Sequence, residues 1–195
     1  MYPKTLQTLI DELRKLPGVG AKTAERYAFS LLHLSDAEIL SFAQALVDSK
    51  EKLHACEVCG NISEQTRCEI CLDTKRDLSV ICVVQEDKDI IAIEKTGYTG
   101  VYHVLHGVIS TTKGVLPNDL NIETLLKRAQ ENVKEIILAI NPTVEGEMTS
   151  LYLAKRLEPL NIQESRLASG LPMGAQVDYL DELTLIRALE ERKKL

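Results

Sequence analysis

The sequence contains no hydrophobic run long enough to cross a membrane. Its longest apolar runs, such as Val80–Val84 and Ile136–Ile140, have the length of a strand, whereas a membrane helix needs roughly 20 apolar residues. The first residues lead into a charged, amphipathic pattern and lack the unbroken apolar segment of a secretory signal. We therefore expect a cytoplasmic protein that makes no membrane contact.

A positive net charge is also missing, which excludes a basic coat over the whole surface. The formal charge at pH 7 is −6, so any contact with nucleic acid has to come from a local patch. The first 33 residues are a candidate, since they hold five basic and three acidic side chains. So small an excess is equally typical of a solvated helix face, and both interpretations remain open.

The sequence also lacks the low hydrophobic content that is typical of a disordered chain. Hydrophobic residues make up 45% of the 195 positions, which is ordinary for a folded protein with one large domain or two small ones.

Hydrophobic periodicity predicts three helices in the first fifty residues. The apolar residues that first recur on one helical face are Leu6, Leu9, Ile10 and Leu13. Proline and two glycines within Leu16–Gly20 break this pattern, and a second helix is expected over Ala21–Leu34. Ser35, followed three residues later by Glu38, has the capping-box pattern that announces a third helix.

After Asp77 short apolar runs alternate with helical stretches, which is typical of a parallel α/β sheet. The candidate strands are Val80–Val84, Tyr102–Leu105, Ile136–Ile140 and, more weakly, Arg166–Ala168. A final helix is expected over Asp178–Lys193. The apolar residues on one side of that helix are Leu180, Leu183, Ile186 and Leu189.

The strongest motif is a pair of CxxC sequences, Cys56-x-x-Cys59 and Cys68-x-x-Cys71, separated by eight residues. This spacing allows four thiolates to surround one Zn²⁺ tetrahedrally. A pair of disulfides is the alternative, which a reducing cytosol disfavours. Four sulfur ligands leave no open coordination position, so we expect a structural metal ion. Cys82 lies in an apolar run and is expected to pack as a small hydrophobic residue.

These patterns predict an α+β multidomain protein. An N-terminal helical hairpin domain with a four-cysteine zinc finger precedes an α/β domain with a mostly parallel sheet and a C-terminal helix. We place the hairpin domain at 1–54, the zinc finger at 55–77, the α/β domain at 78–175 and the helical tail at 176–195.

The Leu16–Gly20 segment matches the helix-hairpin-helix element, which binds the DNA backbone without reading bases. Gly18 and Gly20 allow backbone N–H groups and the following helix N-terminus to approach a phosphate. Lys22 and Arg26 add positive charge on one helix face. An ordinary helix–turn–helix connection is the alternative, because proline and glycine occur in any turn.

Neutral side chains follow two of the candidate strands, Gln85 after Val84 and Asn141 after Ile140. This half of the chain resembles a Toprim domain, in which a glutamate and an Asp-x-Asp at these places hold Mg²⁺. Both places differ here, so the main metal ligands of a nuclease or topoisomerase are missing. The carboxylates that remain nearby are Glu86, Asp87, Asp89, Glu145 and Glu147. Weak Mg²⁺ binding and helix capping are both open for them.

Over almost its entire length the sequence resembles the RecR family of bacterial recombination mediators. The matching segments are Leu16–Gly20, the two CxxC motifs, Tyr102–Leu105, Asn141–Glu147 and Gly170–Gly174. The resemblance implies an action with RecO, and in some settings RecF, that loads RecA onto single-stranded DNA coated by its binding protein. It also implies a homo-oligomeric ring, a tetramer or a dimer, around single- or double-stranded DNA.

Residue by residue, the resemblance makes Lys22 and Arg26 the leading DNA contacts. It also makes Glu145 and Glu147 candidates for a RecO-facing acidic surface. A Walker B-like stretch of this family would include Asp178 and Asp181, but no GxxxxGK[ST] loop is present to hold a nucleotide.

The favoured hypothesis is therefore a non-enzymatic DNA-binding adaptor. A Mg²⁺-dependent Toprim nuclease or topoisomerase that uses Glu86, Asp89, Glu145 and Glu147 is the alternative. A zinc-stabilised module that binds only protein is a third possibility.

Overall fold

The structure of the protein, a computed structural model, describes residues 2–168 and 170–192. It divides into two compact units, Met1–Leu53 and His54–Leu195. The first unit is helical, and the second holds a cysteine-rich loop followed by an α/β sheet. The predicted fold class is confirmed.

The first unit contains the three helices expected from the sequence. They are α1 (Lys4–Leu13), α2 (Ala21–Leu32) and α3 (Asp36–Lys52). The predicted capping box starts α3, because the Ser35 N–H donates to Glu38 Oε2 at 2.8 Å and the Glu38 N–H donates to Ser35 Oγ at 3.4 Å.

A small apolar cluster holds α1 against α2. Its buried members are Ile10, Ala24 and Ala28, and its partly buried members are Leu6, Leu9, Leu13 and Val19. By contrast, all 17 residues of α3 are described and none of them is buried. The large apolar side chains that α3 exposes are Leu40, Phe42, Leu46 and Val47. This helix therefore contributes nothing to the buried core of its own unit.

The second unit begins with the cysteine-rich loop. Strands β1 (His54–Ala55) and β2 (Ile62–Ser63) pair antiparallel, and the short helix α4 (Glu69–Leu72) follows.

A four-stranded sheet forms the rest of this unit, in the order β4-β3-β5-β6 with all neighbours parallel. Its strands are β3 (Asp77–Val84), β4 (Gly100–Val104), β5 (Glu135–Ala139) and β6 (Gln163–Arg166). Its helices are α5 (Asp87–Glu94), α6 (Ile122–Ala129), α7 (Val144–Leu157) and α8 (Glu182–Glu190). Within the described part of the chain, every helix is too short or too polar to span a bilayer.

The central strand β3 separates two apolar layers. Ile81 and Val83 belong to the cluster that includes residues of α6 and α7, whereas Cys82 and Val84 belong to the cluster that includes Ile90 of α5. Successive side chains of a strand point to opposite faces, so one uninterrupted apolar run serves both layers.

Two predicted elements lie elsewhere than expected. Strand β6 ends at Arg166, where the sequence had suggested a strand beginning. Helix α8 starts after Asp181, whose Oδ1 accepts a hydrogen bond from the Thr184 N–H at 3.0 Å and caps the helix. The expected start at Asp178 falls instead in a short 3₁₀ turn. The expected end at Lys193 lies outside the described residues.

Candidate functional site

The hairpin turn between α1 and α2 is open on its outer side. Gly18 has a φ of +78°, a conformation that residues with a side chain rarely adopt. Gly20 precedes α2, whose N-terminus no side chain caps. A Cβ on either glycine would meet no atom within 4 Å. The first N–H groups of α2 are therefore accessible to an anion.

Lys22 and Arg26 lie one helical turn apart on α2, and both are exposed. Among residues 2–168 and 170–192 neither forms an ion pair, whereas Arg14 and Lys15 pair with acidic residues of α1. The two cations that the sequence singled out are thus free of ion pairs within the described part of the chain.

The four cysteines of the CxxC motifs converge as predicted. Their sulfur atoms all lie within 4.8 Å of one another, and Cys59 Sγ lies 3.5 Å from Cys68 Sγ. Tetrahedral Zn–S bonds of about 2.3 Å place sulfurs roughly 3.8 Å apart, so the cluster fits Zn²⁺. All four are free thiols rather than disulfides. In the described part of the chain, this is the one group of three or more potential ligand residues close enough to share a metal ion.

Electrostatics in the cluster also favour a dication. A hydrogen bond with Cys71, together with burial, raises the pKa of the Cys59 thiol well above its ordinary value. Burial likewise raises the pKa of Cys68, and the nearby Cys59 sulfur adds to the effect. Bound Zn²⁺ would offset this crowding of thiolates, because its charge stabilises the deprotonated form.

Cys82 takes no part in this cluster. It is buried in the sheet, where burial raises its pKa to about 12. The expectation that it packs as a hydrophobic residue agrees with this position.

The cysteine-rich loop is fastened to the end of β4. The Val104 N–H donates to the Cys59 carbonyl at 2.7 Å. Gly60 has a φ of +79°, and a Cβ there would come within 3.2 Å of atoms of Asn121, His106 and Val104. The loop therefore needs glycine at this point to pack against the sheet.

At the carboxyl edge of the sheet, Gln85 and Asn141 meet. They follow the adjacent strands β3 and β5, and Asn141 Nδ2 donates to Gln85 Oε1 at 3.1 Å. A cleft of about 360 Å³ opens beside them, lined in part by Glu86, His106 and Glu145. A hydrogen bond between two neutral amides thus occupies the place where a Toprim enzyme carries its metal ligands.

The remaining carboxylates near this edge do not converge. Asp89 Oδ2 accepts a hydrogen bond from the Glu86 N–H at 2.8 Å, forming a capping box at the start of α5, and Glu86 pairs with Lys88. A hydrogen bond from Lys88 lowers the pKa of Glu86. Asp87 Oδ1 accepts from the Ile62 N–H at 2.8 Å. The helix-capping interpretation holds for Glu86 and Asp89.

Glu145 and Glu147 both lie in the first turn of α7, but in different surroundings. Glu145 lines the sheet-edge cleft. Glu147 lies on a second cleft of about 380 Å³, where Arg166 Nη1 is 3.3 Å and Arg187 Nη1 is 3.4 Å from its carboxylate oxygens. Sequence reasoning missed both arginines, since they are far from Glu147 along the chain and no local motif marks them.

Family models match the chain over four successive segments. They describe the RecR helix-hairpin-helix (6–50), the RecR four-cysteine zinc finger domain (53–73), a Toprim domain (79–168) and the RecR C-terminal region (170–193). Three of the four are specific to RecR, and all four together span almost the whole chain.

The chain belongs to the RecR family. This confirms the resemblance that the sequence suggested, and it supports a RecR-type role in DNA repair with DNA-binding and zinc-binding domains. The four-cysteine cluster of this RecR-family protein is consistent with one structural Zn²⁺. The four domain boundaries expected from the sequence stay predictions, as do the individual DNA-contacting residues.

Proposed function

We propose that the protein is a non-catalytic DNA-binding recombination mediator that acts with RecO, and in some settings RecF, to load RecA onto single-stranded DNA coated by its binding protein. The observation that carries this proposal is the open hairpin: two unobstructed glycines, an uncapped helix N-terminus and two exposed cations without acidic partners. All of these features recognise a phosphate backbone and none of them reads bases.

The double variant Lys22→Ala/Arg26→Ala tests this grip on DNA. It is expected to weaken binding at all sequences alike, by about tenfold, and to reduce the salt slope by about one for each phosphate that is no longer neutralised. Fluorescence anisotropy with labelled single- and double-stranded DNA at several salt concentrations measures both quantities. Arg14→Ala/Lys15→Ala is the matched control, because it removes the same charge from cations already paired. Equal DNA affinity and equal salt slope in the two double variants would show that the hairpin is not the DNA-binding surface.

The lack of catalysis is supported by the amide pair at the sheet edge. A divalent ion needs oxygen ligands beside the scissile phosphate, but Gln85 Oε1 is engaged by Asn141 and the Glu86 carboxylate is paired with Lys88, so Glu145 is the one cleft carboxylate that the described contacts leave open. Purified protein incubated with supercoiled plasmid and Mg²⁺ is expected to leave the plasmid intact. Nicking that Glu145→Gln abolishes would establish the enzymatic alternative.

Homo-oligomerisation into a ring is supported by α3. A helix with several large exposed apolar side chains and no buried residue is typical of a surface that a second copy covers. The chain count of the oligomer, a dimer or a tetramer, is measured by light scattering.

We propose Glu145 and Glu147 on α7 as the acidic surface for RecO. Charge reversal of Glu145 is expected to weaken RecO binding and to leave DNA binding unchanged, because the two sites lie in different units. Calorimetric titration with RecO measures the first effect and DNA anisotropy the second. A variant that binds RecO with native affinity would remove Glu145 from this surface.

A further inference from the structure

We propose that α8 is a detachable cover whose Arg187 competes with a basic partner segment for Glu147. The inference rests on the proposed function of Glu145 and Glu147 as a partner-facing surface, and it concerns how access to that surface is controlled.

The two glutamates differ in the ion pairs that they already form within the chain. Glu147 Oε2 faces Arg166 Nη1 at 3.3 Å and Oε1 faces Arg187 Nη1 at 3.4 Å. Glu145, two residues earlier, forms no ion pair among residues 2–168 and 170–192. One carboxylate of the pair is thus open to a cation, and the other already holds two guanidinium groups from its own chain.

These internal arginines indicate what an external ligand would be. Each Glu147 carboxylate oxygen contacts one guanidinium nitrogen, so this carboxylate accepts cationic side chains, and guanidinium groups suit such contacts because they are weakly hydrated. The cleft beside it, about 380 Å³ and lined also by Asn141, Gly146 and Thr184, has room for a further side chain. A partner segment that carries arginine or lysine therefore fits this surface, and Arg187 holds the place that such a segment would take.

Helix α8 is held in place weakly. All nine of its residues are described and none is buried, and none belongs to an apolar cluster of the unit. Besides the pair of Arg187 with Glu147, an ion pair links Glu191, just after the helix, to Arg166 at 2.7 Å. These side chains are between 33% and 56% exposed, so each pair contributes at most about 1 kcal/mol.

The connection to α8 is equally weak. Residues 170–179 are all exposed, and their backbone hydrogen bonds close only short turns such as Ala175 N–H to Pro172 O. Segments with little buried apolar surface and exposed backbone open at low free-energy cost. Displacement of α8 by a basic partner therefore requires breaking half-exposed ion pairs, and no residue of the helix has to leave a buried position.

The competition is tested by Arg187→Ala in the full-length protein, with a labelled oligo-arginine peptide as the basic probe. Removal of the internal competitor is expected to raise peptide affinity about threefold. This factor corresponds to the free energy that a half-exposed ion pair contributes. Arg192→Ala is the matched control, because Arg192 lies just beyond the end of the same helix and, within the described residues, bonds the Leu189 carbonyl rather than an acidic side chain. Peptide affinity in the control is expected to equal that of the unmodified chain.

Hydrogen exchange provides a second readout. Binding couplings are reciprocal, so saturating peptide is expected to speed amide exchange in residues 182–190 and to leave exchange in β3 unchanged. Peptide binding with unchanged exchange in α8, or equal affinities in Arg187→Ala and Arg192→Ala, overturns the proposal.

Failure of the cover is distinguishable from failure of the acidic surface. If Glu145→Gln weakens peptide binding while Arg187→Ala has no effect, the acidic surface stands and the cover does not. If Glu145→Gln and Glu147→Gln bind the peptide no more weakly than Glu131→Gln, an exposed acidic site elsewhere in this unit, both proposals fall.

Discussion

His103 is an ionisable side chain that lies fully buried in the sheet. It is 0% exposed, its Nε2 lies 2.6 Å from the Asn121 carbonyl oxygen, and Arg128 Nη1 lies 3.2 Å from its Nδ1. Because arginine can only donate, Nδ1 accepts and the proton resides on Nε2. Burial lowers the pKa of His103 to about 4. The ring is thus held neutral inside the fold.

This burial predicts a pH dependence of stability. The pKa of an unfolded histidine is about 6.5, so between about pH 6.5 and 4 the unfolded chain binds a proton that the folded chain does not. The free energy of unfolding should therefore fall as pH falls through this window, by up to about 1.4 kcal/mol per pH unit. Urea unfolding of His103→Asn at several pH values should show a shallower slope.

His33→Gln serves as the control, since His33 is exposed and lies in the other unit. Identical slopes for the unmodified chain and His103→Asn would contradict the assignment of this effect to His103.

The two hairpin glycines should respond differently to alanine. Gly18→Ala forces a side chain into a φ of +78° and is expected to destabilise the helical unit by about 1 kcal/mol. Gly20 has a φ of −78° and open space around it. Alanine is a poorer N-cap than glycine, but it also lowers the backbone entropy of the unfolded chain, so Gly20→Ala should change stability by less than about 0.5 kcal/mol. The new Cβ should nevertheless lower DNA affinity, because it stands where a phosphate approaches. Denaturant melts and DNA anisotropy measure the two effects, and native DNA affinity of Gly20→Ala would argue against contact by the glycine amides.

At the scale of elements, the cysteine-rich loop and the sheet should respond together to metal loss. Chelation of Zn²⁺ or Cys59→Ser is expected to lower the free energy of unfolding of this unit on the order of 3 kcal/mol or more. The effect should reach the end of β4, because Val104 bonds the Cys59 carbonyl. Metal analysis, thermal melts and limited proteolysis check the outcome. Cys82→Ala should retain zinc, and a metal-free Cys59→Ser protein with an unaltered melt would contradict a structural role.

The sequence predicted those elements whose signals are local. The Ser35 and Glu38 pair marked the start of α3, and the apolar run through Val84 marked the central strand, because caps and uninterrupted apolar runs act over a few residues. Strand β6 was misplaced because Gln163–Arg166 is a polar edge strand with no such run. It is a strand through its pairing with β5, which no short window contains.

In the candidate site too, residues marked by a local sequence motif were predictable and residues brought together only by the fold were not. The four cysteines were predictable because ligand spacing within each CxxC motif is local and chemically restrictive. The partners of Glu147 were not, since Arg166 and Arg187 reach it only through the packing of β6 and α8. The sequence places Leu183 and Leu189 on one side of α8, and in the structure these side chains are 71% and 65% exposed. Periodicity predicts that a helix has an apolar face but not what covers it.

At the scale of the whole molecule, α3 should control the size of the assembly. Leu46→Glu puts a charge on its apolar surface and is expected to lower the molar mass measured by light scattering, with little change in secondary structure because no core residue is replaced. Ser41→Glu adds the same charge to another position of the helix and should leave the mass unchanged. An unaltered mass for Leu46→Glu would place the contact between copies elsewhere.

The amide pair at the sheet edge has one more consequence. Metal-bridged strand ends would stay together only while the ion was supplied, and carboxylates there would repel each other without it. Gln85 and Asn141 carry no charge at any physiological pH. Their hydrogen bond therefore does not depend on the concentration of salt or of divalent ions. This edge of the sheet should accordingly keep the same conformation when the concentration of divalent ions changes, whereas the same edge in a metal-dependent protein would rearrange.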